Sequence, residues 1–69
     1  MNKSIGFFMI MDGRANFDIG RASVLECIGE APLEKAKRII KKDWKGYDAV
    51  LVEYDCSGNE LTNPRVVTI

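Results

Sequence analysis

The chain has 69 residues, of which 46% are hydrophobic and 29% are charged, and ten cationic side chains balance ten acidic ones. This composition excludes a disordered chain. The length allows a single domain of residues 1–69, whose core is small enough that subunit association often adds buried surface. The sequence has no histidine, and Cys27 and Cys56 lack metal-ligand spacing, so we expect no metal, no cofactor and no histidine-based catalysis.

The amino terminus has one feature of a signal peptide, because Lys3 precedes an apolar run. The run is short for that purpose and no small-residue cleavage site follows it, so we interpret it as a strand. No segment approaches the roughly 20 apolar residues that a membrane span needs. We therefore expect a cytoplasmic protein with two free thiols and no membrane partner; an exported protein with one disulfide is the alternative.

The first predicted strand is "SIGFFMIM", residues 4–11. Phe8 and Ile10 point to one side of this strand. The other side is also apolar and holds Ile5, Phe7, Met9 and Met11. Asp12 and Gly13 end the strand, because glycine tolerates positive φ and aspartate bonds to the backbone that follows it.

The second predicted strand covers residues 22–30. Leu25 and Cys27 share one side of it. The other side holds Val24, Glu26 and Ile28. A helix through Gly29 is the alternative for this segment.

The segment "APLEKAKRIIKKDW" predicts an amphipathic helix at about 32–45. Pro32 suits the first turn, where its missing N–H has no helical partner, and Glu34 lies near the positive end of the helix dipole. The apolar stripe consists of Leu33, Ala36, Ile39, Ile40 and Trp44. Gly46 is the expected terminator.

Two more strands follow the helix: residues 48–55 alternate in hydrophobicity, 56–59 carry turn chemistry, and 60–69 return. Pro64 cannot donate to a ladder, so the last strand is either an edge strand or begins at Arg65. The order ββαββ predicts an α+β two-layer sandwich, in which one helix covers a mainly antiparallel four-stranded sheet.

A single helix covers only one face of such a sheet. Phe8, Ile10 and Leu51 are expected on the opposite face, and a contiguous apolar patch on the surface of a protein marks an interface. We therefore predict a homo-oligomer, most simply a dimer whose sheets pack back to back or whose edges pair. The alternative is a coiled sheet whose second face is covered by loop residues such as Phe17.

The segment "DGRANFDIGRA", residues 12–22, contains Gly-Arg-Ala twice. Gly13 and Gly20 would let a ligand approach the backbone, and Arg14 and Arg21 would supply forked donors for a phosphate or carboxylate group. Neither glycine precedes a predicted helix, and no phosphate-binding fingerprint is present. The alternative is a structural connection in which the arginines pair with neighbouring aspartates.

Residues 35–45 carry six cations against one acid, so this segment has a net charge of +5 and the remainder has −5. Lys35, Arg38, Lys42 and Lys45 mark a surface for an acidic protein, a nucleic acid or an anionic lipid. Five of the six cations are lysines and no exposed aromatic run accompanies them, which argues against base-specific recognition. A solvated face without a partner is the alternative.

Glu53 and Asp55 share one face of a strand, about 7 Å apart by strand geometry. No opposing acid at a defined distance marks them as a catalytic pair, and pairing with the basic helix of a second subunit is an equally good interpretation. Neither cysteine has a base beside it in sequence. We therefore expect a protein without enzymatic activity.

The segments "DGRANFD", "DWKGYDAVLVEYD" and "GNELTNPRVV" resemble small uncharacterised proteins encoded by bacteriophages and prophages. The resemblance carries no catalytic residues. It implies the cytoplasm of a bacterial host, where small phage proteins commonly bind and inhibit a host component or sequester nucleotide signals.

The expected function is therefore non-enzymatic: a small homo-oligomer that binds or inhibits a host macromolecule. The first alternative is a binding module for a nucleotide-like anion, in which Arg14 and Arg21 of neighbouring subunits converge. The second is an accessory nucleic-acid-binding protein that uses the lysine-rich helix.

Overall fold

The computed structural model describes residues 5–14 and 17–68. In these residues it has four strands and one helix: β1 is Ile5–Asp12, β2 is Val24–Pro32, α1 is Leu33–Asp43, β3 is Ala49–Ser57 and β4 is Glu60–Val67. The strands form an antiparallel sheet in the order β2-β1-β3-β4, which confirms the predicted ββαββ architecture. Ser4 and Ile69, the outer ends of two predicted strands, lie outside the described residues.

Phe8, Ile10 and Leu51 form the core beneath α1, so their predicted place in an oligomer interface is wrong. Each has 0% of its surface exposed, and they pack together with Ala36 and Ile40 of the helix. Alternation separates the two sides of β1 correctly. It does not tell which side the helix covers, because both sides of this strand are apolar. The face that α1 leaves uncovered is therefore the one that carries Ile5, Phe7, Met9 and Met11.

The sheet face opposite α1, here called the open face, carries the odd-numbered residues of β1 together with Val24, Val50, Val52, Tyr54 and Val66. Side chains of the same chain bury the centre of this face, since Val52 is 0% exposed and Met11 is 3% exposed. The Tyr54 hydroxyl donates to Met11 Sδ at 3.6 Å, which places the tyrosine side chain along this face. The exposed apolar residues of the face, each at least half accessible, are Ile5, Val24 and Val66.

β2 departs from simple alternation because two bulges interrupt its pairing with β1. Each bulge adds one residue to β2, so its core contacts recur at every third position, at Leu25, Ile28 and Ala31. Gly29 lies at one bulge with a φ of +84°, a conformation that favours glycine. The segment is thus a strand and not the alternative helix, and Cys27, predicted on the same side as Leu25, is exposed.

α1 starts directly after Pro32, which ends β2 and is the helix N-cap rather than part of the first turn. The helix ends at Asp43, two residues before the predicted boundary. The backbone N–H of Trp44 donates to the Ile40 carbonyl at 3.2 Å, and Gly46, with a φ of +85°, then turns the chain toward β3 as predicted. No helix in the described ranges is long and apolar enough to cross a bilayer.

β4 is an edge strand, as predicted, and Pro64 lies within it rather than before it. Gly58, with a φ of +61°, opens the two-residue turn between β3 and β4. The ladder is irregular further along, where a register shift falls between Glu53 and Asp55 of β3. Asn63 lies at this irregularity with a φ of +51°. The missing N–H of Pro64 therefore falls where the pairing is already interrupted.

Candidate functional site

The outward side of α1, here called the basic face, carries Lys35, Arg38 and Lys42, and Lys45 follows just beyond the helix end. All four residues are exposed. The spacing of three and four residues places the first three on one side of the helix, opposite its buried residues. Every ion pair among the described residues uses another cation, so the described chain provides no carboxylate partner for this face. The structure thus brings Lys35, Arg38 and Lys42 together on one side of the helix.

Trp44 ties the carboxyl end of α1 to β2. Its Nε1–H donates to Glu26 Oε1 at 2.8 Å, and its ring packs against the core. The chain then turns so that the backbone N–H of Tyr47 donates to the Trp44 carbonyl at 3.1 Å. The two rings meet edge to face, with centroids 5.3 Å apart and planes at 75°.

A cavity of about 260 Å³, here called the aromatic cavity, opens beside this ring pair. Three segments of the chain line it, with Asp12 and Arg14 from the first, Leu25 from the second, and Trp44, Tyr47 and Asp48 from the third. The backbone of Asp48 is fixed, because its carbonyl accepts the Gly13 N–H at 2.6 Å. Sequence reasoning missed this cavity, since Tyr47 and Asp48 lie between two elements and follow no periodicity. The one signal in the sequence is the aromatic pair that flanks Gly46.

Arg14 is held by Asp12, two residues before it. Its Nη2–H donates to Asp12 Oδ2 at 2.8 Å, and its Nε–H is shared between both carboxylate oxygens at 3.1 Å. The side-chain hydrogen bonds, helped by one from the Arg14 backbone, lower the pKa of Asp12 below its ordinary 3.8, and they raise the pKa of Arg14. A guanidinium already engaged by a forked carboxylate has fewer donors to offer an anionic ligand.

Arg21 lies in a separate turn and pairs with a different aspartate. Its Nε is 4.0 Å from Asp18 Oδ2, and the backbone N–H of Gly20 donates to Asp18 Oδ1 at 2.9 Å. The Arg21 backbone N–H also donates to the Asp18 carbonyl, at 2.9 Å. Arg14 and Arg21 therefore share no carboxylate within one described chain. Their convergence from neighbouring subunits stays a prediction.

Gly13 allows a close approach of β3 to the backbone. A methyl group at this position would collide with Val50 Cγ2 and lie 3.2 Å from the Asp48 carbonyl oxygen. The same group at Gly20 would meet only Asp18 Oδ1, at 3.5 Å. Gly13 thus serves the packing of the sheet, whereas among the described residues a methyl group at Gly20 would make only an ordinary van der Waals contact.

Arg65 holds the two carboxylates that the sequence placed on one face of β3. Its Nη2 is 3.4 Å from Glu53 Oε1 and 3.0 Å from Asp55 Oδ1. Asn63 Nδ2–H donates to Asp55 Oδ2 at 2.9 Å, and these hydrogen bonds from Asn63 and then Arg65 lower the pKa of Asp55. A lowered pKa keeps a carboxyl ionised, which suits an ion pair better than a general acid. A second cavity, of about 270 Å³, is lined in part by Glu53, Asp55 and Glu30.

Within residues 5–14 and 17–68, no group of three or more potential ligand side chains is placed to hold a metal ion. Cys27 and Cys56 are both free thiols and both exposed. Neither carries an arrangement that points to chemistry at sulfur.

No family model matches the chain, and no curated protein or solved structure matches it either. The resemblance to phage and prophage proteins, and the functions expected from it, therefore stay predictions.

Proposed function

We propose that the protein is a non-enzymatic binding protein of the bacterial cytoplasm, a small homo-oligomer that binds or inhibits a host macromolecule through its basic face. The observation that supports this proposal is the set of exposed cations at Lys35, Arg38 and Lys42, for which the described chain supplies no carboxylate. Their side chains are available to a partner, and forming a contact breaks none of the ion pairs of the described chain.

The basic face stands on a rigid support. Ala36 is 0% and Ile40 is 4% exposed on the inward side of the same helix, and Trp44 fixes its end to β2. The position of the cations relative to the sheet is therefore set before a partner arrives. Preorganised charge mainly increases the rate of encounter and the selectivity of association.

An acidic protein surface is the partner that fits this face best. The face contains one arginine, Arg38, so it offers few of the planar forks that suit phosphate groups. Proteins that bind single-stranded nucleic acid stack bases on aromatic rings along a basic groove. Here the nearest aromatic residues, Trp44 and Tyr47, lie beyond the end of the helix and line the aromatic cavity.

The test compares three baits in a pull-down from a nuclease-treated bacterial lysate: the wild type, a triple variant with Lys35→Gln, Arg38→Gln and Lys42→Gln, and a double variant with Lys35→Arg and Lys42→Arg. We expect the wild type and the arginine variant to retain the same protein, and the glutamine variant to lose it. Raising the salt concentration should release the retained protein, because exposed charges are screened within about a Debye length.

The arginine variant is the matched control, since it alters the same positions and keeps their charge. Equal retention by the glutamine variant would contradict a role for the basic face. Recovery of nothing above the level of empty resin would contradict the proposal as a whole. Capture that depends on intact nucleic acid would favour the nucleic-acid-binding alternative instead.

A further inference from the structure

We propose that the aromatic cavity is a receptor for the guanidinium group of an arginine side chain on a partner protein. This site is separate from the basic face and carries the opposite electrostatic preference. Its cation-binding groups are the rings of Trp44 and Tyr47 and the carboxylate of Asp48.

The charges that line the cavity favour a cation. Arg14 and Asp12 neutralise each other through their forked contact, whose shortest N···O distance is 2.8 Å. Asp48 remains: among the described residues its side chain takes part in no hydrogen bond or ion pair, although its charge helps to raise the pKa of Arg14 through space. The lining thus carries two carboxylates and one guanidinium, a net charge of −1 that favours a cation over an anion.

The aromatic pair supplies the second element of cation recognition. Trp44 is held by its hydrogen bond to Glu26, Tyr47 stands at 75° to it, and both residues line the cavity. A cation over the face of a tryptophan or tyrosine is attracted by the ring quadrupole, and arginine does this more often than lysine. Tyr47 is 66% exposed, which leaves its ring accessible to a partner.

The size of the cavity suits a single side chain. Its volume of about 260 Å³ falls below the roughly 300–1,000 Å³ typical of small-molecule sites. A planar guanidinium on an aliphatic stem needs less space than a base, sugar and phosphate together. Because guanidinium is weakly hydrated, it also loses less than an ammonium group when it leaves water for an aromatic wall.

Trp44 is the only tryptophan in the sequence, so its fluorescence reports directly on this cavity. The full-length protein is titrated with N-acetylarginine amide, with the lysine analogue, with the neutral citrulline analogue and with adenosine monophosphate. We expect saturable millimolar binding of the arginine probe, weaker binding of the lysine probe, and no response to citrulline or the nucleotide. The Trp44 Nε1–H resonance in an NMR spectrum should move with the same midpoint.

Two variants locate the binding site. Asp48→Asn and Tyr47→Leu should each weaken the arginine probe about threefold, the effect of losing one exposed charge or ring contact. Tyr47→Phe keeps the ring and should retain affinity. Glu60→Gln removes an exposed acid at the start of β4, which pairs with the end of β3 far from Asp48, and should also leave affinity unchanged.

Equal binding of arginine and citrulline would overturn the proposal, because the charge would then have no role. Preferential binding of the nucleotide, lost in Arg14→Ala, would overturn it in favour of an anion site. Because these probes do not involve the basic face, the outcome is independent of the pull-down experiment.

Discussion

Gly13 and Gly20 open identical Gly-Arg-Ala tripeptides, yet the structure gives the two glycines different roles. Gly13 lies against β3, and its backbone N–H bonds to the Asp48 carbonyl at 2.6 Å. Gly20 sits in an exposed turn capped by the Asp18 side chain. The repeat is therefore not a repeated site, because each copy takes its role from the strand or turn beside it.

Replacing Gly13 with alanine should lower the free energy of unfolding by about 1–3 kcal/mol, the usual cost of inserting a methyl group into filled space. The new Cβ would collide with Val50 Cγ2, a stiff β-branched side chain on a central strand. Denaturant unfolding followed by circular dichroism measures the change.

Gly20→Ala is the matched control. Its Cβ meets only an ordinary contact at 3.5 Å, and Gly20 does not have positive φ. The free energy of unfolding of this variant should remain within about 0.5 kcal/mol of the wild-type value. If both variants lost a similar amount of unfolding free energy, the flexibility of the loop, and not the close approach of β3, would explain the effect of Gly13→Ala.

At the scale of elements, the β3–β4 hairpin is held at its irregular point by one charged network. Arg65 bridges Glu53 and Asp55 on β3, and its Nη1–H donates to the Asn63 carbonyl at 2.7 Å. Asn63 in turn donates to Asp55. These contacts stabilise the positive φ of Asn63 and keep β4 paired on both sides of the register shift.

The network predicts how the stability of the protein depends on pH. The pKa of Asp55 is lowered in the folded chain, first by the hydrogen bond from Asn63 and then by Arg65. Its ionised form therefore stabilises the folded state, an effect present above the ordinary value of 3.8 and lost as pH falls below it. Unfolding free energies measured between neutral pH and the acid range should fall less steeply in Asp55→Asn than in the wild type.

Glu60→Gln supplies the comparison, because Glu60 is an exposed acid of the same hairpin with no ion pair in the described ranges. The free energy of unfolding of Glu60→Gln should fall with pH as steeply as that of the wild type. If the free energy of unfolding of Asp55→Asn also fell as steeply as that of the wild type, the charged network would not form in solution.

The order of the elements could be predicted from the sequence, but the faces of the strands could not. Turn residues and the helical period separate five segments clearly. β1 is apolar on both sides because side chains are buried on both, Phe8 and Ile10 beneath the helix and Met11 on the open face, so its pattern alone does not identify the side beneath the helix. In β2 the bulges place core residues three apart, a spacing that also fits a helix and that conflicts with an alternating strand.

The two candidate sites also differ in whether the sequence could predict them. The basic face follows from helical spacing, so Lys35, Arg38 and Lys42 could be grouped without coordinates. The aromatic cavity could not be found this way, because it joins Asp12 and Leu25 to residues of the α1–β3 connection. Its geometry depends on the path of that connection, which long-range contacts determine.

At the scale of the whole molecule, the exposed apolar residues of the open face bear on the proposed homo-oligomer. Ile5, Val24 and Val66 are each at least half accessible, and they lie at the margins of that face. A back-to-back contact between two open faces would remove these side chains from water, which stabilises association.

The variant Val66→Lys tests whether the open face is the interface. Val66 is 56% exposed and lies on the edge strand beside Val52, so a charge there is tolerated in a monomer and destabilising when buried in a dimer. Light scattering and sedimentation should find a dimer for the wild type and a monomer for the variant. Val66→Ile, which keeps the apolar surface, should remain dimeric. A wild type that stays monomeric at high concentration would contradict this interface.

The two edge strands, β2 and β4, also limit how copies of the molecule can associate. β4 carries Pro64, which lacks a backbone donor, and a charged Arg65, while β2 is distorted by its bulges. A strand from another molecule would find no regular ladder to extend at either border. Lateral polymerisation into fibres is thereby obstructed, so the proposed homo-oligomer would be a closed assembly of a few copies.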